Sequence, residues 1–310
     1  MSRLVAIVGP TASGKTVLAV SLAERLGGEI VNADSRQVYR GMDIGTAKPT
    51  ADQRARVRHW LVDVADPAEG FNLGRFAELA GQALSDIWSR GRPAFLAGGT
   101  GQYVWALLEG WRVPRVPPDR TLRRELEALA EREGPQALQR ELAAVDPEAA
   151  SRIDARNVRR LVRALEVYRL TGQPISAWRA RAIPEFDSLI IGLRCERREL
   201  YRRIDARVEA MLTAGLVEEV RGLLTQGHRP DLPAMSGIGY RQVCQHLAGE
   251  LSLAEAVERI KTETHRLARM QHTWFRADDA RIRWLDVTRG EPLTRALSLV
   301  EGFLLTRLEA

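Results

Sequence analysis

Short runs of apolar residues without polar alternation mark several places along the chain. The first covers residues 4–8 (L-V-A-I-V) and ends at a glycine. Such runs are typical of strands that are buried on both faces of a parallel sheet. Further mainly apolar runs with the length of a strand occupy residues 29–33, 93–97, 188–193 and 282–287. We predict a β-strand at each of these places.

Apolar residues with helical spacing lie between these runs. Residues 15–26 carry Val17, Leu18, Leu22 and Leu26 on one side, and a pair of glycines follows. We predict a helix there, which the glycines end. Amphipathic patterns predict later helices over residues 200–224 and 253–276. Strands that alternate with helices indicate an α/β fold with a parallel sheet, in which the β-α-β connections are right-handed.

The middle of the chain has a different composition. Residues 111–118 are rich in proline, and the stretch after them is rich in Arg, Glu, Ala and Leu without any strand pattern. We therefore predict an all-helical domain over residues 115–187, inserted into a P-loop NTPase-like parallel-sheet core. The core would consist of residues 1–114 and 188–310.

The segment between the first strand and the first helix carries a phosphate-binding motif. Residues 9–16 read G-P-T-A-S-G-K-T and match the P-loop pattern G-x-x-x-x-G-K-[ST]. Its glycines let backbone N–H groups curl around phosphate oxygens at a helix N-terminus, where the helix dipole favours anions. The predicted phosphate-binding residues are Gly9, Pro10, Thr11, Ala12, Ser13, Gly14, Lys15 and Thr16. Thr16 is also the predicted ligand of a Mg²⁺ ion.

Two polar residues follow predicted strands on the side of the P-loop. Asp34 comes just after the second strand, and Thr100 lies just past the strand at residues 93–97. Ligands of open α/β sheets bind beyond the carboxyl ends of the strands, so both residues should face the P-loop. The Asp34 carboxylate could be a general base or a magnesium ligand, or it could merely cap the segment that follows. Residues 61–63 (L-V-D) resemble a Walker B strand end only weakly, and the NKxD motif of GTPases is absent from the sequence.

The composition is typical of a globular protein. Hydrophobic residues make up 45% and charged residues 28% of the 310 positions. Apolar runs all fall short of the roughly 20 residues that span a bilayer, and the N-terminus does not resemble a signal peptide. Cys195 and Cys244 lie far apart without metal-ligand spacing, which favours free thiols. We expect a cytoplasmic protein without a membrane segment.

The net charge of +6 comes mainly from arginine, since only three of the 46 basic residues are lysines. A guanidinium group suits phosphates and stacks on bases, although a genome rich in G and C would produce the same bias. Clustering is more informative, because it indicates a surface for nucleic acid. The cluster consists of Arg152, Arg156, Arg159, Arg160, Arg163 and Arg169.

Seven motifs in order along the chain are similar to those of one enzyme family. Besides the P-loop they are A-D-S-R-Q-V-Y at 33–39, D-I-G-T-A-K-P at 43–49, G-G-T-G-Q-Y at 98–103, R-A-L-E-V with T-G-Q-P at 163–174, G-I-G-Y-R-Q at 237–242 and Q-H-T-W-F-R at 271–276. Over nearly its whole length the chain resembles the tRNA dimethylallyltransferases, also called tRNA isopentenyltransferases.

The resemblance implies transfer of a dimethylallyl group from dimethylallyl diphosphate to N6 of the adenosine next to the anticodon (tRNA position 37). The P-loop would hold the diphosphate of the donor rather than consume ATP, with Mg²⁺ as cofactor. Asp34 would accept the N6 proton, and Thr100 would hold the amine by a hydrogen bond. The implied tRNA contacts are Asp34, Ser35, Arg36, Gln37, Thr100, Arg123, Arg159, Arg160, Leu161, Val162 and Arg163.

The resemblance also implies how tRNA binds. The target base would be flipped out of the anticodon loop, and the helical insertion would close over the stem-loop. Phosphate contacts of the arginines predict tRNA binding that weakens steeply with salt. A monomer is the default expectation.

Four positions depart from the family pattern. Trp60 stands where a second histidine is usual, and Ser236 stands where some members have arginine. His265 and Met270 reduce the positive charge of the helix over residues 253–276, which weakens a role of this helix in binding phosphate or RNA. Trp274 and Phe275 are interpreted as core residues of that helix.

Three other functions fit part of the pattern. A small-molecule P-loop kinase, such as a nucleoside monophosphate kinase, would explain the P-loop and an arginine-rich lid, but not the motifs around Asp34 and Thr100. A prenyltransferase that acts on free AMP or ADP would share the chemistry, and the arginine-bearing insertion favours RNA over it. A non-catalytic RNA-binding protein would not need Lys15, Thr16 and Asp34.

Overall fold

The computed structural model of the chain describes residues 2–114, 116–179, 183–288, 290 and 292–305. Contacts within the chain divide it into two compact units. The first unit comprises Met1–Leu108 and Pro184–Ala310, and the second comprises Glu109–Ile183. None of the described helices is long and apolar enough to cross a lipid bilayer.

The first unit is built on a parallel sheet. Its described strands are β1 (Ser2–Val8), β2 (Glu29–Asn32), β3 (His59–Trp60), β4 (Ala94–Ala97), β5 (Phe186–Arg194) and β6 (Ile282–Asp286). They lie in the order β3-β2-β4-β1-β5-β6, and each described pair is parallel. The predicted α/β class with a parallel sheet is confirmed, and every predicted strand is present. β3 was not predicted, because two residues at the edge of the sheet carry no pattern.

The described helices surround this sheet or form the second unit. They are α1 (Lys15–Leu26), α2 (Ala51–Arg56), α3 (Leu73–Ser89), α4 (Gly101–Leu108), α5 (Arg120–Glu133), α6 (Pro135–Val145), α7 (Pro147–Arg152), α8 (Val158–Thr171), α9 (Arg197–Thr213), α10 (Leu216–Thr225), α11 (Tyr240–Leu247), α12 (Leu253–Trp274) and α13 (Leu293–Leu305). Helices α5 to α8 belong to the second unit, together with a 3₁₀ turn over Ile175–Arg179.

The predicted single helix over residues 200–224 is wrong. α9 ends at Thr213, and α10 begins at Leu216. Gly215 between them has a φ angle of +97°, a left-handed conformation that glycine adopts without a steric penalty. The amphipathic pattern continues across this break, which explains the error. α12 begins at the predicted residue and is capped by Ser252, whose side chain accepts a hydrogen bond from the backbone of Glu255.

The second unit is helical in its described part. Leu126, Leu142 and Leu165 form its core, where α5, α6 and α8 meet. The predicted insertion over residues 115–187 included Phe186 and Asp187, which instead belong to β5.

Candidate active site

The P-loop follows β1 and leads directly into α1. Ala12 within the loop has a φ angle of +62°, which turns the backbone in front of the helix. Lys15, the first residue of α1, donates from Nζ to the carbonyl of Pro10 at 2.7 Å. Burial lowers the pKa of Lys15 to about 8, while the charge of Asp34 opposes this change and that of Arg207 adds to it. A helix N-terminus and a desolvated ammonium group thus meet at one place, which suits an anion.

A second cation reaches the P-loop from α9. Arg207 Nη2 donates to Thr11 Oγ1 at 2.7 Å. Burial lowers the pKa of Arg207, and the charge of Asp34 partly offsets this effect. Among the described residues, Arg207 Nε and Ser13 Oγ are buried without a hydrogen-bond partner. Such atoms are costly to leave unpaired. Arg207 lines the cavity, so its Nε is suited to bind an oxygen atom of a ligand, whereas Ser13 is not among the lining residues.

One side chain of α12 holds the P-loop against the loop that follows β4. Gln271 Oε1 accepts a hydrogen bond from Thr11 N at 2.7 Å, and Nε2 donates to the carbonyl of Gly99 at 2.9 Å. Gln271 begins the Q-H-T-W-F-R motif, so a signal for it existed in the sequence. Arg207 lies in none of the motifs, and sequence reasoning missed it.

Ser35 and Thr100 lie together at the carboxyl ends of β2 and β4. Thr100 Oγ1 accepts a hydrogen bond from Ser35 N at 3.0 Å and lies 3.3 Å from Ser35 Oγ. Thr100 N donates to the carbonyl of Ala33 at 3.2 Å. The residues that follow these two strands, Asp34 and Thr100, therefore line the same cavity.

Asp34 has both a local and a cavity-facing environment. Its Oδ1 accepts a hydrogen bond from Arg36 N at 2.9 Å, and its own N–H donates to Asn32 Oδ1 at 3.2 Å. These bonds correspond to the capping interpretation. The carboxylate also lines the cavity and favours the charged forms of Lys15 and Arg207. The two interpretations of Asp34 are therefore compatible.

The groups described above share one cavity of about 900 Å³ in the first unit. Its polar lining includes residues of the P-loop, Asp34 and Thr100. Its apolar lining includes residues of α9 and α12, namely Val208, Met211, Ile260, Leu267 and Met270. A lining of both kinds suits a ligand with an anionic head and a hydrocarbon tail.

The end of α12 contributes one buried and one exposed aromatic ring. Phe275 is 1% exposed, so the prediction of a core residue is confirmed. Trp274 is 37% exposed and lines the cavity, so the same prediction is wrong for Trp274. Its ring packs directly on Gly101, where a Cβ atom would come within 2.2 Å of Trp274 Cγ. The glycine at the start of α4 therefore allows the close approach of α12.

Arg36 and Gln37, two of the implied tRNA contacts, are held by backbone carbonyls. Arg36 Nη1 donates to the carbonyl of Pro233 at 2.7 Å. Gln37 is 8% exposed, and its Nε2 donates to the carbonyls of Thr46 and Ala47, each at 3.1 Å. Both side chains line the cavity in orientations that the surrounding backbone fixes.

Asp43 and Asp63 both form ion pairs with the buried Lys48. Lys48 Nζ lies 2.6 Å from Asp43 Oδ1 and 2.5 Å from Asp63 Oδ1. Asp63 also pairs with Arg54 at 2.7 Å. Within the described ranges, no group of three or more His, Cys, Asp or Glu side chains could hold a metal ion. These contacts favour a structural role for both carboxylates and, for Asp63, count against the weak Walker B interpretation.

Two of the departures from the family pattern have structural partners. Trp60 Nε1 donates to Glu29 Oε2 at 2.9 Å, at the start of β2. Ser236 Oγ accepts a hydrogen bond from Arg36 Nη2 at 3.4 Å. Ser236, which stands where some family members have arginine, therefore helps to hold the side chain of Arg36.

The other two departures lie on α12. His265 Nε2 is 2.8 Å from Asp205 Oδ1, and the imidazole ring stacks on Tyr201 at 4.0 Å. Met270 is 48% exposed and lines the cavity. The residue that replaces a cation at this position therefore extends the apolar lining.

The implied tRNA-binding residues of the second unit have three different environments. Arg123 and Arg163 pair with the fully buried Glu166, at 2.7 Å and 2.6 Å respectively. Leu161 and Val162 are buried in the helical core. Arg159 and Arg160 are exposed and form no ion pair within the described part of the chain.

The strand, P-loop and helix at the carboxyl end of an interior strand of a parallel sheet define a P-loop α/β protein with a cavity suited to an anion. A family model described as IPP transferase matches residues 37–278, and one described as isopentenyl transferase matches residues 2–70. The chain therefore belongs to the IPP transferase family, as its motifs predicted.

Known relatives cover nearly the whole chain. The tRNA dimethylallyltransferase of Chloroflexus aurantiacus is 55% identical over 276 residues, which cover 89% of this chain and 93% of the relative. The solved tRNA isopentenylpyrophosphate transferase of Bacillus halodurans is 41% identical with a TM-score of 0.71, covering 98% of this chain and 96% of the other. A eukaryotic dimethylallyltransferase, described as acting on tRNA, is 26% identical with a TM-score of 0.85, covering 98% and 80%.

Proposed function

We propose that this protein is a tRNA dimethylallyltransferase. It transfers the dimethylallyl group of dimethylallyl diphosphate to N6 of the adenosine next to the anticodon (tRNA position 37) and releases diphosphate. The observation that carries the proposal is that Lys15, Arg207 and Asp34 interact at one cavity whose lining is partly apolar. The cations suit a diphosphate, the apolar lining suits a prenyl chain, and the carboxylate suits a proton that must leave. Membership of the IPP transferase family supports the same reaction.

The leaving group determines the role of the P-loop. The diphosphate of the donor binds at the N-terminus of α1, where Lys15 and Arg207 neutralise its charge. As the bond between C1 and oxygen breaks, negative charge accumulates on the departing diphosphate. The same cations therefore stabilise the transition state more than the ground state, which accelerates the transfer.

The acceptor amine determines the roles of Asp34 and Thr100. N6 forms a bond to C1 of the donor, and the proton that N6 loses passes to the Asp34 carboxylate. The hydrogen bond from Arg36 N holds this carboxylate in one orientation. The Thr100 hydroxyl, which Ser35 N orders, holds the amine. An exocyclic adenine amine is a weak nucleophile, so correct positioning is the main contribution of these residues.

Mg²⁺ is the proposed cofactor. Thr16 lines the cavity beside Lys15, and its hydroxyl would hold the ion. Mg²⁺ in proteins keeps several waters and often binds through one or two protein groups and the phosphates of the substrate. A site without an acidic cluster therefore fits this ion. When bound, it supplies further charge neutralisation for the diphosphate.

tRNA is the proposed acceptor. The proposed contacts are Ser35, Arg36 and Gln37 near Asp34, and Arg123, Arg159, Arg160 and Arg163 in the helical unit. Leu161 and Val162 contribute through packing, since their side chains are buried. The structural relative described as acting on tRNA supports this acceptor. The monomeric state and the cytoplasmic location stay predictions.

Transfer of radiolabelled dimethylallyl diphosphate into unmodified tRNA, with Mg²⁺ and without ATP, tests the proposal. We expect label in this tRNA and none in a tRNA whose target adenosine is replaced. AMP serves as a parallel acceptor, and label in AMP alone would instead identify a free-nucleotide prenyltransferase. ATP turnover without label in either acceptor would identify a kinase.

A further inference from the structure

One carboxylate holds the turn over residues 43–47 from outside the cavity. Glu219 lies in the first turn of α10. Its Oε2 accepts hydrogen bonds from Asp43 N at 2.9 Å and Ile44 N at 2.7 Å, and its Oε1 accepts one from Gly45 N at 3.1 Å. Three consecutive N–H groups that converge on one anion form a nest. Hydrogen bonds to a charged acceptor are about twice as strong as neutral ones, so Glu219 fixes the turn firmly.

A fourth donor completes this arrangement from α11. Tyr240 OH donates to Glu219 Oε1 at 2.6 Å. Burial, with a smaller effect of the Glu219 charge, raises the pKa of Tyr240 and keeps the hydroxyl protonated as a donor. The Tyr240 ring also lies directly against Gly45, where a Cβ atom would come within 2.5 Å of Tyr240 Cε2. Two helices thus fix one turn.

The turn over residues 43–47 fixes the orientation of the Gln37 side chain. The carbonyls of Thr46 and Ala47 accept both hydrogen bonds that the Gln37 amide donates. Gln37 and Asp34 line the same cavity as Gly45, Thr46 and Ala47 of the turn, whereas Glu219 is not among the lining residues. A substitution of Glu219 would therefore shift the turn and Gln37 without replacing any residue that lines the cavity.

We propose that Glu219 is a positioning residue for the acceptor, acting through the turn over residues 43–47 to hold Gln37 in the orientation that the target nucleotide requires. The proposal rests on the proposed function, because it places Gln37 on the tRNA side of the reaction. It predicts a defect toward tRNA and none toward the diphosphate group, which the P-loop binds.

The variant E219Q tests this assignment. Glutamine matches the shape of Glu219 but places an NH₂ group against N–H or O–H donors, so the turn must shift. Because a misplacement of about 1 Å can cost about 10²-fold in rate, we expect kcat/KM for tRNA to fall at least about tenfold. The Kd for inorganic diphosphate should stay unchanged. E218Q is the matched control on the same helix, since the Glu218 side chain is 68% exposed, and it should behave as wild type.

A double variant separates positioning from general damage. If Glu219 acts through Gln37, adding E219Q to Q37A should change kcat/KM for tRNA by less than about twofold relative to Q37A alone. Y240F removes one of the four donors and keeps the carboxylate, so we expect a smaller loss in the same direction. A cooperative unfolding transition of E219Q above the assay temperature would show that the variant is folded.

The outcomes distinguish this proposal from the one on which it rests. Normal transfer by both wild type and E219Q would overturn the role of Glu219 alone. Two further results would overturn it. One is that the losses in kcat/KM for tRNA of E219Q and Q37A multiply in the double variant, and the other is that E219Q also weakens the binding of inorganic diphosphate. A wild-type chain that transfers no label to tRNA would overturn the proposed function and, with it, the role of Glu219.

Discussion

The two ends of strand β2 use buried charge in opposite ways. At its start, Glu29 is 1% exposed and accepts hydrogen bonds from Arg90 Nη2 at 2.9 Å, Trp60 Nε1 at 2.9 Å and Arg92 Nη1 at 3.2 Å. The hydrogen bonds from Arg90, together with that from Trp60, lower the pKa of Glu29 to about 2, although burial opposes the change. This carboxylate is fully paired and supports the fold.

Past the other end of β2, the charged groups are not paired in this way. Burial lowers the pKa of Lys15 to about 8, because desolvation disfavours its charged form. Arg207 Nε and Ser13 Oγ are buried without partners among the described residues. A paired cluster therefore stabilises the chain, whereas an unpaired one is destabilising until a ligand completes it.

Removal of the proposed proton acceptor at the unpaired end should have the largest effect. Asp34→Asn keeps an oxygen that can accept the hydrogen bond from Arg36 N, but it removes the proposed base. Because general base catalysis contributes about 10²- to 10⁴-fold, we expect kcat for transfer to tRNA to fall by this factor. Single-turnover transfer of labelled dimethylallyl group measures it. A variant that retains more than about a tenth of its turnover would exclude Asp34 as the base.

Removal of the charge at the paired end should instead affect stability. Glu29→Gln leaves Arg90 and Arg92 without their shared carboxylate. We expect the free energy of unfolding to fall by about 3 kcal/mol, with kcat of the folded protein unchanged. Urea denaturation measures the loss. Glu24→Gln, whose side chain is 42% exposed in a pair with Arg56, is the control and should change stability by less than about 1 kcal/mol.

The same carboxylate predicts the pH dependence of stability. The pKa of Glu29 is about 2 in the folded chain against an ordinary value of 4.5. Its contribution is therefore fully present above pH 4.5 and is lost as the pH falls through the folded value. As the pH falls from 4.5 to about 2, the difference in free energy of unfolding between wild type and Glu29→Gln should therefore shrink. Parallel stability curves of the two proteins would contradict the assignment.

The unpaired end could be predicted from the sequence because local signals mark it. The apolar run, the P-loop pattern and the position of Asp34 after a strand all lie within the first 34 residues. The rule that ligands bind beyond the carboxyl ends of parallel strands then places Thr100 with them. Local spacing and one topological rule were sufficient for this part of the site.

The rest depends on contacts between distant parts of the chain. Arg207 and Gln271 reach Thr11 across 196 and 260 positions, and no local pattern specifies such contacts. The burial of Glu29 could not be predicted from the sequence either. A carboxylate is rarely buried without partners, and its partner Arg90 lies 61 positions away in the chain. The break at Gly215 was missed because apolar spacing continues across it.

A smaller effect should follow from the titration of Lys15. The free protein loses this charge as the pH rises through about 8. We expect kcat/KM for dimethylallyl diphosphate to be constant at lower pH and to fall about tenfold per pH unit above that value. Lys15→Arg should abolish the decline, even at reduced activity, because a guanidinium group stays charged. A wild-type profile that is flat to about pH 10 would exclude this dependence.

The contrast between paired and unpaired charge extends to the helical unit and predicts the smallest effect. Arg123 and Arg163 are tied to Glu166, whereas Arg159 and Arg160 are exposed and form no ion pair within the described residues. Arginines without a protein partner are the ones that can bind phosphate without losing an existing bond.

Replacing Arg159 and Arg160 by glutamine should therefore weaken tRNA binding without destabilising the helices. Each lost phosphate contact should reduce the slope of log K against log salt by about 0.7 to 0.9, with an affinity loss below about tenfold near physiological salt. Filter binding over a salt series measures both. Arg156→Gln is the control, because Arg156 already pairs with Asp154 at 2.7 Å. If the control lowered the slope as much as the double variant, pairing would not determine which arginines bind RNA, and the contrast would hold only for the buried clusters at β2.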